Sequence, residues 1–229
     1  MPTAAEYLDL SRTVHVDLFV EAEPVWSALA KIESYLHLLL DSVQGPLIHG
    51  AVDPKANIGG RVYVAPDAIV EAFATIQGPA WIGPNTVVRS GAYLRQNVIA
   101  GENCTLGNSS EFKNCLLFDE CEVPHFSYVG DSILGYKAHL GAGVICSNVR
   151  LDRQNVKVKT EDSFIDSGLR KFGAIIGDRT EVGCNSVLNP GTILGRDCIL
   201  YPGCQWSGVL GTKQIVKIRQ EHSVIEHRS

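Results

Sequence analysis

From Val52 onward an apolar side chain returns at every sixth position: Val52, Ile58, Val64, Val70, Ile76, Ile82, Val88, Leu94, Ala100, Leu106, Phe112 and Phe118. The beat slips near Val123 and Leu134, is interrupted, and resumes at Ile176, Val182, Leu188, Leu194 and Leu200, with Trp206 closing it. An α-helix repeats every ~3.6 residues and a strand every ~2, so neither keeps this period over such a length. A hexapeptide-repeat parallel β-helix does, with about six residues on each side of a prism and about eighteen to a turn.

Four residues after each apolar position stands a small or slim one: Ala56, Val62, Ala68, Ala74, Ala80, Thr86, Ala92, Val98, Cys104 and Ser110. Stacked at the inter-strand spacing of about 4.8 Å, the two lines become ladders inside a column. Gly, Asn, Asp and Pro take the corners, as in "IGPN", "LGNS" and "IGDR". The pattern predicts an all-β chain of about seven coils over residues 47–211. Residues 148–172 are charged, lack the beat, and are expected to loop out from one corner, the usual place for a binding face in a repeat protein.

Residues 1–46 precede the column. The alternation "TVHVDLFV" predicts an extended stretch, and Pro24 opens an amphipathic helix with Val25, Leu29, Ile32, Leu36, Leu39 and Leu40 on one face. Its expected role is to cap the open end of the β-helix or to dock on a neighbouring subunit. Residues 212–229 form a mixed, charged tail to which the sequence assigns no role.

The net charge is −5, which offers no basic footprint for nucleic acid, and no apolar run approaches the ~20 residues of a membrane span. The first ten residues carry acids where a secretory signal needs a basic region and an apolar core. Seven cysteines without a C-x-x-C suggest neither a metal site nor a disulfide framework. Cys104, Cys198 and Cys204 fall on the inward small-residue line, and the set fits a reducing cytoplasm.

Two groups of residues invite a chemical reading. Arg95 and Lys113 each directly follow an apolar position, eighteen residues apart, and should stack on adjacent coils. Two stacked cations call for an anion such as phosphate, or for a compensating carboxylate such as Glu111; solvated surface charge is the plain alternative. The second group lies in "VPHFSYVGDSILGYKAHLGAGVICSN", where the period drops a residue twice and so re-aims side chains. It contains His125, Tyr128, His139 and Asn148, and an imidazole suits a general base near neutral pH, unless His125 is simply an inert surface residue.

These segments resemble a known family. "LRQ", "EFK", "HFSYVGD", "LGAG" and "SN" resemble the acetyltransferase domain of the bifunctional N-acetylglucosamine-1-phosphate uridylyltransferases, and "SGLRKFGAIIGDRTEVG" is similar to the archaeal sugar-1-phosphate nucleotidylyltransferases. The resemblance implies a left-handed β-helix, assembled as a homotrimer with the active site in the cleft between subunits. It implies that Arg95 and Lys113 bind the phosphate of an amino sugar 1-phosphate, that Tyr128 holds the sugar, and that His125 is the base. Acetyl-CoA is then expected against Ala142, Asn148 and Val149, with Cys184 and Pro202 at further contact positions and Lys157 matching a lysine of the archaeal proteins. Acetyl transfer of this kind needs no metal.

The sequence also departs from the family. His139 stands where the family has an asparagine in the sugar pocket, and Gln154 aligns with a lysine of the archaeal loop. No G-x-G-[TS]-R segment precedes the coils, so uridylyl transfer is not expected of this chain, although a separate nucleotidylyltransferase could work beside it. The resulting expectation is a stand-alone N-acetyltransferase. A regulatory or scaffolding trimer is the alternative, and a metal hydratase is disfavoured because His125 and His139 lack the H-x4-H spacing such a site needs.

Overall fold

A computed structural model of the chain describes residues 1–227. Almost all of its strands are two to four residues long and stack in parallel into three sheets, the faces of one triangular column. The first face starts with Ala51–Val52 and holds nine strands; the second starts with Asn57–Ile58 and the third with Val62–Val64, and each holds eight. The column therefore has about nine turns rather than about seven, and its last strand, Ile215–Val216, lies inside the segment read as a tail.

The inward ladders are those the period marks. Val70, Ile76, Ile82, Val88, Leu94 and Leu106 are fully or almost fully buried, as are Ala68, Ala74, Ala80 and Ala92 beside them. The small-residue line also serves the backbone: Thr86 Oγ1 donates to Gly101 O at 2.7 Å, and Thr180 Oγ1 to Gly195 O at 2.7 Å. On the same ladder Cys121 Sγ donates to Gly135 O at 2.9 Å and Cys198 Sγ to Gly211 O at 2.9 Å. Small donors at these positions satisfy corner carbonyls that the strands leave unpaired.

The first slip lies earlier than the beat alone suggests, while the second falls at Leu134, where the beat places it. Leu117, not Phe118, pairs with Ala100 and points inward, five residues after Phe112; the second contraction runs from Val129 to Leu134. Both occur where the second face turns into the third, at Asn114 and Asp131, each in the left-handed region with φ 47°. Phe118 consequently points outward, where Phe19 meets it edge-on with ring centroids 5.8 Å apart.

That contact belongs to a larger correction. The outward positions of the third face, Trp81, Ile99, Leu116, Ile133, Ile175 and Ile193, are apolar, so this face cannot be left to solvent. The amino-terminal segment covers it instead of capping an end. Its helix, Ala28–Ser42, buries Leu29, Ile32, Leu36 and Leu40, and Leu29 O accepts from Asn114 Nδ2 at 3.3 Å. Trp26 packs against Phe172, His15 lies edge-on to Trp81, and Asp9 N donates to the buried Asp178 carboxylate at 2.7 Å. The stretch expected to be extended is a short helix, Ala4–Tyr7, followed by 3-10 turns at Leu10–Arg12 and Val16–Leu18. A chain crossing the outside of a column finds no strand edge to pair with, so the alternating valines Val14, Val16 and Val20 remain exposed.

The insertion leaves after Ser147 and rejoins at Phe172, whose N–H donates to Asn148 O at 3.0 Å. It is not a plain loop. Lys157–Lys159 and Phe164–Asp166 form an antiparallel hairpin, pinned by the buried Val156 and Val158. Among the described residues no helix is long and apolar enough to cross a membrane.

Two expected outcomes follow from this burial. His15 is 1% exposed; Tyr35 is 3.1 Å from its Nδ1, its Nε2 has no partner, and burial lowers its pKa from 6.5 to about 4. A histidine that must stay neutral when folded contributes stability above its unfolded pKa that is lost as pH falls through the folded value. Urea unfolding between pH 7 and pH 4 should therefore show a loss of about 3 kcal/mol that His15→Gln removes, and equal slopes in both proteins would refute it. Of the seven cysteines, only Cys184 is exposed, so a thiol reagent should modify Cys184 in the native protein and the other six only on unfolding; burial pushes the Cys146 thiol up to about 12 and that of Cys115 higher still.

Candidate active site

The second face presents two outward columns. Tyr93, Glu111, Tyr128 and Ile145 are in register in one. In the other, Arg95 N donates to Phe112 O, which sets Arg95 beside Lys113, and Lys113 pairs with Gly130 in the next turn. The expected stacking of Arg95 and Lys113 is therefore present, and each cation has a carboxylate. Arg95 Nη1 lies 3.1 Å from Glu111 Oε1 in a pair that is more than one-third exposed, and Lys113 Nζ lies 3.1 Å from Asp131 Oδ1 in a much drier one. An exposed pair of the first kind is worth ~0–1 kcal/mol, so Arg95 can exchange Glu111 for a ligand phosphate at little cost.

Tyr128 lies half-buried across Gly130, where a β-carbon would collide with the phenol oxygen. This accounts for the glycine in "YVGD": it is the space that the ring occupies. Burial, and then the negative charge of Asp131, raise the Tyr128 pKa above its ordinary value, so the phenol stays protonated and available as a donor. Asn148 Nδ2 donates to the Tyr128 hydroxyl at 3.1 Å and to Asp131 Oδ2 at 2.5 Å. Asp131, which the sequence reading passed over, joins Lys113, Asn114 and Asn148; its only sequence signal was its place in the quoted motif, at a contracted corner.

The edge between the first and second faces forms a separate column. Phe126 N donates to Asn108 O, Gly143 N to His125 O, Asn185 N to Ala142 O and Gly203 N to Cys184 O. His125, Ala142, Cys184 and Pro202 are thereby stacked on successive turns, about 4.8 Å apart. The imidazole of His125 is exposed and makes no intramolecular hydrogen bond among the described residues. Beside Cys184 and Pro202 is a shallow cavity of ≈ 320 Å³, bounded by Tyr201, Leu200 and His139.

His139 is on the first face, in register between Glu122 and Glu181, with its Nδ1 2.6 Å from Glu181 Oε2. It thus lies around the corner from Tyr128. Val149 follows the buried Asn148 where the insertion departs, while Lys157 is exposed on the hairpin, whose Val156 packs against Gly191 at the edge between the second and third faces. One chain therefore brings His125, Ala142, Cys184 and Pro202 together on one edge, and Arg95, Lys113 and Tyr128 on the adjoining face, with Asn148 at that face's far edge. It brings His139 to the cavity beside Cys184 and Pro202 rather than to the group on the second face, and Lys157 lies apart on the hairpin. The contracted corners also lie on the opposite edge of the second face from His125, so they aim Asn114 and Asp131 rather than the histidine.

Residues 76–167 match the family model described as the GMPPB C-terminal domain. The chain is 34% identical over 202 residues to a bifunctional sugar-1-phosphate nucleotidylyltransferase/acetyltransferase of Sulfurisphaera tokodaii, a match covering 87% of this chain and 50% of that protein. It is 37% identical over 166 residues to the bifunctional protein GlmU of Methanocaldococcus jannaschii, covering 72% and 40% respectively. Among solved structures, a mutant perosamine N-acetyltransferase of Caulobacter crescentus in complex with CoA and GDP-perosamine aligns with TM-score 0.31 at 15% identity, over 74% of this chain and 48% of that one. The chain spans about half the length of the first of these relatives. Over most of its length the chain is thus homologous to part of the bifunctional sugar-1-phosphate nucleotidylyltransferase/acetyltransferase and GlmU proteins, and residues 76–167 within it match the GMPPB C-terminal domain.

Proposed function

We propose that the protein transfers the acetyl group of acetyl-CoA to the amine of an amino sugar 1-phosphate of the glucosamine or galactosamine type. The observation that carries this reading is the juxtaposition of an unpaired, exposed His125 at the head of one edge with a donor-rich face, Arg95, Lys113 and Tyr128, directly beside it. The names of the relatives add an acetyltransferase activity to the same kind of column.

The sugar phosphate is held by Arg95 and Lys113, with Arg95 releasing Glu111. The Tyr128 hydroxyl donates to a sugar or phosphate oxygen. An amine of this class is largely protonated at neutral pH and must lose a proton before it can attack. That proton leaves to solvent; His125 accepts the second one as the neutral nitrogen closes on the thioester carbonyl, and passes it to the departing CoA thiolate as the carbon–sulfur bond breaks. With both partners anchored, the reaction is effectively intramolecular and needs no covalent enzyme intermediate. CoA runs along the edge past Ala142, Cys184 and Pro202, where contacts to backbone tolerate the unusual side chains.

The assembly in this reading is a homotrimer. His139 and Tyr128 diverge around a corner within one chain and can face one ligand only when copies pack side by side in a cleft. Lys157 on the hairpin reaches CoA in the same cleft.

The test is turnover. With acetyl-CoA and glucosamine 1-phosphate or galactosamine 1-phosphate, the protein should release CoA, and His125→Ala should lower kcat by about 100-fold or more, whereas unchanged release removes the base assignment. Lys113→Ala should raise KM for the sugar phosphate with a smaller effect on kcat, and an unaltered KM removes the phosphate role. A chain that binds no acetyl-CoA in titration calorimetry would instead be a scaffold.

A further inference from the structure

At the edge between the second and third faces, three side chains stack on successive turns: Asn114, Asp131 and Asn148. The Asp131 carboxylate is nearly buried, at 5% exposure, between the two amides. Asn114 Nδ2 donates to its Oδ1 at 3.0 Å and Asn148 Nδ2 to its Oδ2 at 2.5 Å. Lys113 Nζ approaches both oxygens, at 3.1 and 3.3 Å. Both contracted corners of the column, each with φ 47°, are the corners that carry Asn114 and Asp131. The chain thus departs from its regular turn length where this carboxylate is placed.

A carboxylate only accepts hydrogen bonds, so its contacts assign the groups around it. Asn148 must turn its NH2 toward Asp131, which leaves its carbonyl oxygen facing away. The second amide hydrogen reaches the Tyr128 oxygen at 3.1 Å. Having accepted there, the phenol is free to give its own proton to something outside. The Lys113 ammonium, with two hydrogens directed at Asp131, keeps one for a ligand. We propose that Asp131 is the positioning residue of this face: it aims Lys113 and fixes the Asn148 amide, so that Tyr128 presents its hydroxyl proton outward to a ligand oxygen. This deepens the function proposed above and rests on it for the identity of the ligand.

The relay can be tested without turnover. Tyr128 faces Asp131 and Glu111, whose charges raise its pKa, and Arg95 and the Asn148 amide, which lower it; the Lys113 ammonium is bound to the same Asp131. With tyrosine labelled at 13Cζ, NMR titration of the otherwise intact protein should show the Tyr128 phenol ionising at lower pH in Asp131→Asn than in wild type. In Asn148→Leu, which removes the donor but keeps the carboxylate, it should ionise at higher pH. Shifts of opposite sign support the relay, and a titration unmoved in both variants overturns it. If Asp131→Asn does not fold, Asn148→Leu decides alone, an upward shift supporting the relay and an unmoved titration overturning it. In turnover, Asp131→Asn should raise KM for glucosamine 1-phosphate about tenfold or more, as expected for loss of charge-assisted aim, and an unaltered KM overturns the link to the ligand. Absence of turnover in wild type would refute the proposed reaction and leave the titration to decide the role of Asp131.

Discussion

Every turn of the column rests on the same contact, an inward side chain lying on its counterpart in the next turn, as Val70 on Val88 and Leu94 on Phe112. Parallel register makes this contact unforgiving. A residue gained or lost within a strand would send its inward side chains outward, so changes in length are confined to the corners. The two contractions and the 148–172 insertion all occur at the edge between the second and third faces; Asn114, Asp131 and Asn148 lie there and Arg95, Lys113 and Tyr128 on the second face beside it, while His125 stands on that face's opposite edge. The regular core thus determines where irregularity, and hence function, can be placed.

The same constraint explains the amino-terminal segment. A column whose third face is apolar on both sides needs cover along its length. Helix Ala28–Ser42 and the turns before it provide that cover through Phe19, Trp26 and the Asp9–Asp178 contact. Asn114 connects this cover to the site, since one amide group reaches both Leu29 O and Asp131 Oδ1. Packing on the outside of the column and the aim of Lys113 are therefore physically continuous.

The ladders, the three-sided column and the stacking of Arg95 on Lys113 were legible in the sequence because each follows from a period and nothing else. The helix was legible as a helix but not in its position. Runs such as "VIA", "CLL", "SIL", "AII" and "TIL", apolar at the outward middle position as well as at the inward one after it, were the overlooked sign that one face is covered. Phe118 was misplaced for a related reason: the six-residue beat cannot distinguish a contraction before Leu117 from one near Val123 when both neighbours are apolar. Asp131 was missed because an aspartate at a corner resembles any other turn residue. Only its three partners, brought from positions 113, 114 and 148, reveal it as a hub.

The central claim is that one ligand spans the donor-rich second face and the His125 edge while CoA follows that edge. A crystal structure of the protein with CoA and glucosamine 1-phosphate tests it most directly. The account predicts the sugar phosphate against Arg95 and Lys113, the amine within hydrogen-bond distance of His125, and the CoA chain along Ala142, Cys184 and Pro202. Well-ordered ligands seated away from His125 and Lys113 would contradict it.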